Sequence, residues 1–104
     1  MNNLHLSPEA QNDLMEIKAY IEEDLLNPSA ALATVSRITK GLRVLQNYAH
    51  AGALLSSIAD IECDYRFIVS GNYISFYRVC GNDIYIDRVL YARRDYLRIL
   101  FPEL

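Results

Sequence analysis

The chain has 104 residues, 52% of them hydrophobic and 22% charged, and a formal net charge of −3. That length suits about one domain with a modest core, and the composition is that of a packed globule rather than a disordered tail or a disulfide scaffold. An acidic balance with a pI near 5.2 also excludes nucleic-acid affinity built on bulk positive charge.

From the N-terminus, Met1 to Leu6 is too short for a secretory signal and is followed at once by Ser7, Pro8 and Glu9. No apolar run approaches membrane-spanning length, so a cytoplasmic protein with no membrane partner is expected. Leu4-His5-Leu6 suits a short strand. Ser7 as N-cap and Pro8 at the first helical position open a helix. Ala10, Leu14, Ile17, Ile21 and Leu25 form its apolar stripe. The acidic run Glu22-Glu23-Asp24 stands at the end of that helix where the dipole does not favour it.

Asn27-Pro28 repeats the cap-then-proline signal and starts a second helix carrying Ala31, Val35, Ile38, Leu42 and Leu45. So short a connection places the two helices side by side and antiparallel. Gly41 costs this helix some stability, which close approach of the first helix would explain. From Gln46 to Glu62 the periodicity lapses into a loop with room for a short strand or turn.

Strand periodicity then takes over in Tyr65-Arg66-Phe67-Ile68-Val69, in Tyr73 to Val79 and in Ile84 to Leu90. Gly71-Asn72 and Gly81-Asn82-Asp83 supply the turns of a three-stranded meander. Arg93 to Phe101 reads as a closing helix ended by Pro102. The expected order is β-α-α-β-β-β-α over residues 1–104. This is a single α+β domain whose antiparallel meander packs on the N-terminal helical hairpin and leaves its other face open to a ligand.

A two-residue turn at Gly71-Asn72 fixes a register. Arg66 then stands opposite Tyr77, Phe67 opposite Phe76, Val69 opposite Ile74, and Cys63 opposite Cys80. Phe67, Val69, Ile74 and Phe76 are expected beneath the hairpin, with Arg66, Ser75 and Tyr77 on the open face. A two-residue second turn adds Arg88 to that open face, and a three-residue turn reverses it. The two cysteines lie in no Cys-x-x-Cys pair and near no histidine at ligand spacing, so no metal or cofactor is expected. A reducing compartment keeps them as thiols.

Charge is uneven along the chain. The six arginines between residues 65 and 98 face only Asp83, Asp87 and Asp95, with no lysine among them. Arginine suits forked recognition of phosphate or carboxylate, and interleaved tyrosines offer faces on which bases stack. Arg66, Tyr77, Arg88 and Arg94 are therefore candidates for contacting a target or RNA. In Tyr91-Ala92-Arg93-Arg94-Asp95-Tyr96, two adjacent arginines cannot share one helix face, so one of them is expected at the site.

Several segments together resemble the RelE/ParE toxin superfamily: Ser7-Pro8-Glu9-Ala10, Asp64 to Val69, Tyr73 to Val79, and Ile84 through Arg88-Val89-Leu90-Tyr91 to Arg93-Arg94-Asp95-Tyr96. The resemblance covers nearly the whole chain. It implies the growth-inhibiting toxin of a bacterial type II toxin–antitoxin module of the plasmid-stabilisation type, held by a cognate antitoxin in a hetero-oligomer. The antitoxin is expected over the Ala31-to-Leu45 helix and the sheet edge.

The resemblance also implies a target, DNA gyrase in ParE-like members and messenger RNA in the ribosome for RelE-like members. For metal-free RNA cleavage it assigns phosphate stabilisation to Arg66 and to Arg93 or Arg94, with Tyr96 matching a C-terminal catalytic tyrosine. Tyr91 falls where active members carry histidine, and the loop before the meander lacks their lysines or glutamate, leaving His50 as its titratable group near neutral pH. Gyrase inhibition is therefore the leading expectation, RelE-like cleavage the alternative, and a non-toxic antitoxin-binding remnant the third.

Overall fold

The computed structural model describes residues 1–103. The chain enters as β1 (Asn3–Leu6) and turns at Ser7, whose hydroxyl accepts from the Ala10 amide at 3.0 Å, into α1 (Pro8–Ala19). A π-helical turn, Tyr20–Asp24, ends that helix, and Asn27 caps α2 (Pro28–Val44) through the Ala30 amide. A two-residue strand, β2 (Ala53–Leu54), precedes the meander of β3 (Arg66–Ser70), β4 (Tyr73–Cys80) and β5 (Asp83–Tyr91), and α3 (Tyr96–Leu100) follows. The fold is the expected α+β arrangement with β2 added.

The sheet order is β1-β5-β4-β3-β2, with β1 parallel to β5 and the other pairs antiparallel. Gly71 and Gly81, at φ 62° and 60°, supply the left-handed residues of both tight turns. The β3–β4 register is the expected one, Arg66 opposite Tyr77 and Phe67 opposite Phe76. The second turn has two residues, Cys80 facing Asp83, but turn length does not settle Arg88 by itself. A bulge lets Tyr77 face Ile86 while Phe76 faces Arg88, so Asp87 is the extra residue and the parity of β5 changes there.

The faces of the sheet are the reverse of the expectation. Beneath the helical hairpin, Ala10, Ile38, Leu42 and Leu45 pack on Tyr77, Ile84, Ile86 and Val89, with Ile68, Tyr73 and Val79 alongside. Phe67, Ile74, Phe76 and Leu90 lie on the opposite face, where Leu55 and the segment Tyr96 to Phe101 cover them. Val69, expected in the core, is 57% exposed. Of β4, the apolar Ile74 and Phe76 thus meet the short C-terminal helix, and Tyr73, Ser75 and Tyr77 meet the long helices. That face was expected to be open and is not.

Other expectations shift for local reasons. The π turn inserts one residue into the helical repeat, the Leu25 amide reaching the Tyr20 carbonyl, so Leu25 leaves the stripe and is 56% exposed. Gly41 faces β3 rather than α1: a Cβ there would lie 2.7 Å from the Ser70 hydroxyl. Cys63 and Cys80 are both free, because β3 pairs with β4 only from Arg66 onward, leaving Cys63 packed near Leu55 and Cys80 exposed at a turn. Arg93 and Arg94 precede α3 in a turn closed by the Arg94 amide on the Tyr91 carbonyl. Among the described residues no helix is long and apolar enough to cross a membrane.

Candidate functional site

Between α1 with its π turn, the start of α2 and the distal ends of β4 and β5 lies an open groove of about 680 Å³. Its floor is apolar, from Ile17, Ile21 and Val89, and its wall includes Tyr20, Leu25 and Tyr73. Glu16 of α1 and Arg94 of the turn after β5 bring opposite charges to it. Tyr91 joins Arg94 on the lining, its ring 5.7 Å from that of Tyr73. Burial first, and the neighbouring Tyr91 next, raise the Tyr73 phenol above its ordinary pKa, so it presents a neutral hydroxyl.

The strand arginines are held differently. Arg88 reaches Asp13 of α1 in a two-pronged pair, Nε to Oδ2 and Nη2 to Oδ1, each 2.8 Å. The same Asp13 Oδ2 accepts the Val89 amide at 2.9 Å. β1 pairs with β5 only as far as Ile86, so beyond it a carboxylate takes the place of a strand partner. Asp13 is 5% exposed, and its hydrogen bonds hold the Arg88 guanidinium in its charged form, raising its pKa. Arg88, a candidate for target contact, is therefore committed to the fold, and its geometry follows from the bulge at Asp87.

Tyr77 is corrected in the same way. It is 0% exposed, its hydroxyl donating to the Ala49 carbonyl at 3.0 Å and accepting the Gly52 amide at 2.9 Å. Burial raises its pKa, with the Gly52 hydrogen bond and the Arg66 charge pulling the other way. Arg66 does share a face with Tyr77, as the register requires, and its Nη1 donates to the Gly52 carbonyl at 2.8 Å. The pair clamps the loop after α2. Gly52 has no alternative there, since a Cβ would sit 2.5 Å from the Phe67 carbonyl oxygen and 2.6 Å from the Tyr77 hydroxyl.

On the other face, Asp87 gathers Arg78, whose Nε donates at 2.8 Å, and Tyr65, whose hydroxyl donates at 2.8 Å. Burial, and then the Asp87 carboxylate accepting its proton, push the Tyr65 pKa up to about 12. The Arg78 guanidinium also lies about 6 Å from the Tyr65 and Tyr85 rings (5.9 and 6.0 Å), within cation–π range.

The sequence-derived candidates therefore do not form one constellation. Tyr91 and Arg94 meet at the groove, and Arg93 is exposed in the same turn. Arg66 and Tyr96 do not line the groove: Arg66 holds Gly52, and Tyr96 packs its ring 5.2 Å from Phe76. His50 is exposed in the clamped loop. Asp13, Gly52 and Asp87 went unrecognised in the sequence. Asp13 carried a readable signal, because it lies three residues after Ala10 and four before Ile17, on the helix face that is otherwise apolar. Among the described residues no three His, Cys, Asp or Glu side chains converge as a metal-binding group.

A hairpin of two helices on one face of a mixed five-stranded sheet, with a groove at their junction, defines an α+β class represented among solved structures. One of these, described as the chromosomal ParDE TA system from P. aeruginosa, is 25% identical with a TM-score of 0.74, over 89% of this chain and 98% of that one. Comparison with curated proteins gives no match. The family profile described as the ParE toxin of type II toxin-antitoxin system, parDE, matches residues 4–96. The chain belongs to this ParE toxin family.

Proposed function

We propose that this chain is the toxin of a type II toxin–antitoxin pair and that it acts by binding and inhibiting DNA gyrase rather than by cutting RNA. The observation that carries this reading is the commitment of the strand residues a nuclease would use. Arg88 is neutralised by Asp13, Tyr77 is wholly buried, and Arg66 donates to a backbone carbonyl. Tyr91 stands where active members of the superfamily carry histidine, so the site lacks that imidazole as a general base. What remains exposed is the turn holding Arg93 and Arg94, a surface suited to gripping a partner's carboxylates.

The groove supports the presence of an antitoxin. Its apolar floor between α1, α2 and the sheet suits an amphipathic segment, with Arg94 and Glu16 offering one charge of each sign to fix its direction. The solved neighbour from P. aeruginosa is described as a ParDE system, which supports the same pairing.

Induced expression without antitoxin, followed by supercoiling assays with purified gyrase and primer extension on cellular messages, tests the proposal. Gyrase inhibition lost in Arg93→Ala/Arg94→Ala, with intact messages, is the expected result. Codon-phased message cleavage that disappears in Arg66→Ala would replace it with the ribonuclease reading. Normal growth would point to a non-toxic remnant that only binds antitoxin.

A further inference from the structure

Two surface features of the helical hairpin play no part in the groove. The first is the outward face of α2. The helix contains no acidic residue, although the whole chain is acidic. Leu32, Arg37, Lys40 and Arg43 are all exposed, and at 3.6 residues per turn they share one sector. Among the described residues none of these three cations pairs with a carboxylate. Around Arg37 and Lys40 the small side chains of Ala33 and Ser36 leave a shallow hollow of about 330 Å³.

The second feature is the hairpin tip. Glu23 and Asp24 are exposed where the first helix ends, next to the negative end of its dipole. Leu26 is 82% exposed and sits at φ 50°, a left-handed conformation that costs a branched apolar residue about 1 kcal/mol. A strained, solvent-facing leucine two residues after an acidic pair stabilises nothing within the monomer.

The tip is acidic and apolar, the α2 face is basic and apolar, and both belong to one hairpin. We infer that this face receives a second copy of the chain, the two α2 helices antiparallel about a twofold axis near Leu32. α2 begins at Pro28, four residues before Leu32, with the acidic tip beyond that end, whereas Lys40 and Arg43 lie eight and eleven residues after Leu32. An antiparallel pairing centred on it brings Lys40 and Arg43 of each copy towards Asp24 and Glu23 of the partner subunit, and the symmetry makes each ion pair twice. The small residues of the hollow let the helices approach, and Leu26 gains apolar cover. The inference does not depend on which target the toxin attacks.

Sedimentation velocity on the purified chain, over concentrations from about 1 µM to about 1 mM, tests it. The expected result is a concentration-dependent dimer that weakens as salt rises. Lys40→Glu/Arg43→Glu and Glu23→Lys/Asp24→Lys should each weaken the dimer by about tenfold or more. Mixed one to one, these two variants should associate again, because every contact then joins opposite charges, and that recovery also shows that both are folded. A monomer at all concentrations would overturn the inference, as would a dimer indifferent to both charge swaps. If the chain is monomeric and Lys40→Glu/Arg43→Glu instead loosens a co-purified antitoxin, the α2 face belongs to that partner and the self-pairing is wrong.

Discussion

The hairpin side of the sheet is closed by seventeen residues of α2 together with α1, whereas the opposite side is closed by the five residues of α3 and the tail to Phe101. Beneath the long helices the sheet presents Tyr73, Ser75 and Tyr77, and polar anchors fix what surrounds them: Asp13 closes the open edge of β5, and Tyr77 with Arg66 holds the loop after α2. Beneath the short helix it presents Ile74, Phe76 and Leu90, and α3 is held to them by packing, with no side-chain hydrogen bond from α3 to the sheet among the described residues. A five-residue helix does not persist without such packing. Directional hydrogen bonds thus define the side that shapes the groove, and apolar area holds the side that carries the terminus.

Four substitutions probe that contrast. Phe76→Ala removes a fully buried ring from the α3 side and should cost about 4 kcal/mol in urea unfolding, with loss of amide protection from Leu97 to Phe101 preceding the global transition. Equal protection in both segments would show that α3 is not the weaker cover. Asp13→Ala acts on the hairpin side, stranding Arg88, which is 25% exposed, and the Val89 amide, and should cost about 3 kcal/mol. A loss no larger than that of an exposed ion pair would mean that water replaces the carboxylate at the β5 edge.

Tyr77→Phe keeps the ring but leaves the Gly52 amide without its acceptor, and about 2 kcal/mol should be lost. Faster hydrogen exchange from Ala49 to Ala53, with α3 unaffected, would place the loss in the loop. The smallest effect concerns Tyr65 on the α3 side. Its pKa is raised from 10.0 to about 12, so its bonded, protonated form contributes stability that is complete below pH 10 and lost as pH rises from 10 through about 12. The stability difference between the parent chain and Tyr65→Phe should narrow over that window, and a constant difference would show that the Asp87 hydrogen bond does not govern the phenol.

The individual elements were legible because their signals are local. Ser7-Pro8 and Asn27-Pro28 mark two helix starts through groups that lie within one turn, and Gly71-Asn72 sets the β3–β4 register through the backbone it alone allows. Which face those strands turned to the helices was not legible. Phe67 and Phe76 are the more apolar pair, but the tyrosine hydroxyl that argues for an open face is satisfied inside by Ala49 and Gly52, residues 28 and 25 positions away from Tyr77.

The candidate site divides along the same line. The family's arginines could be recognised by type and order, and Arg94 with Tyr91 does reach the groove. Whether an arginine is free depends on a carboxylate brought from elsewhere, as Asp13 is brought 75 residues to Arg88. By itself the sequence determined the helical hairpin, the meander, its first register and the family, since each rests on neighbours in the chain or on a linear pattern. Only the tertiary structure decided the faces of the sheet, the bulge at Asp87 and the burial of Tyr77, because each is set by contacts between elements far apart in the chain.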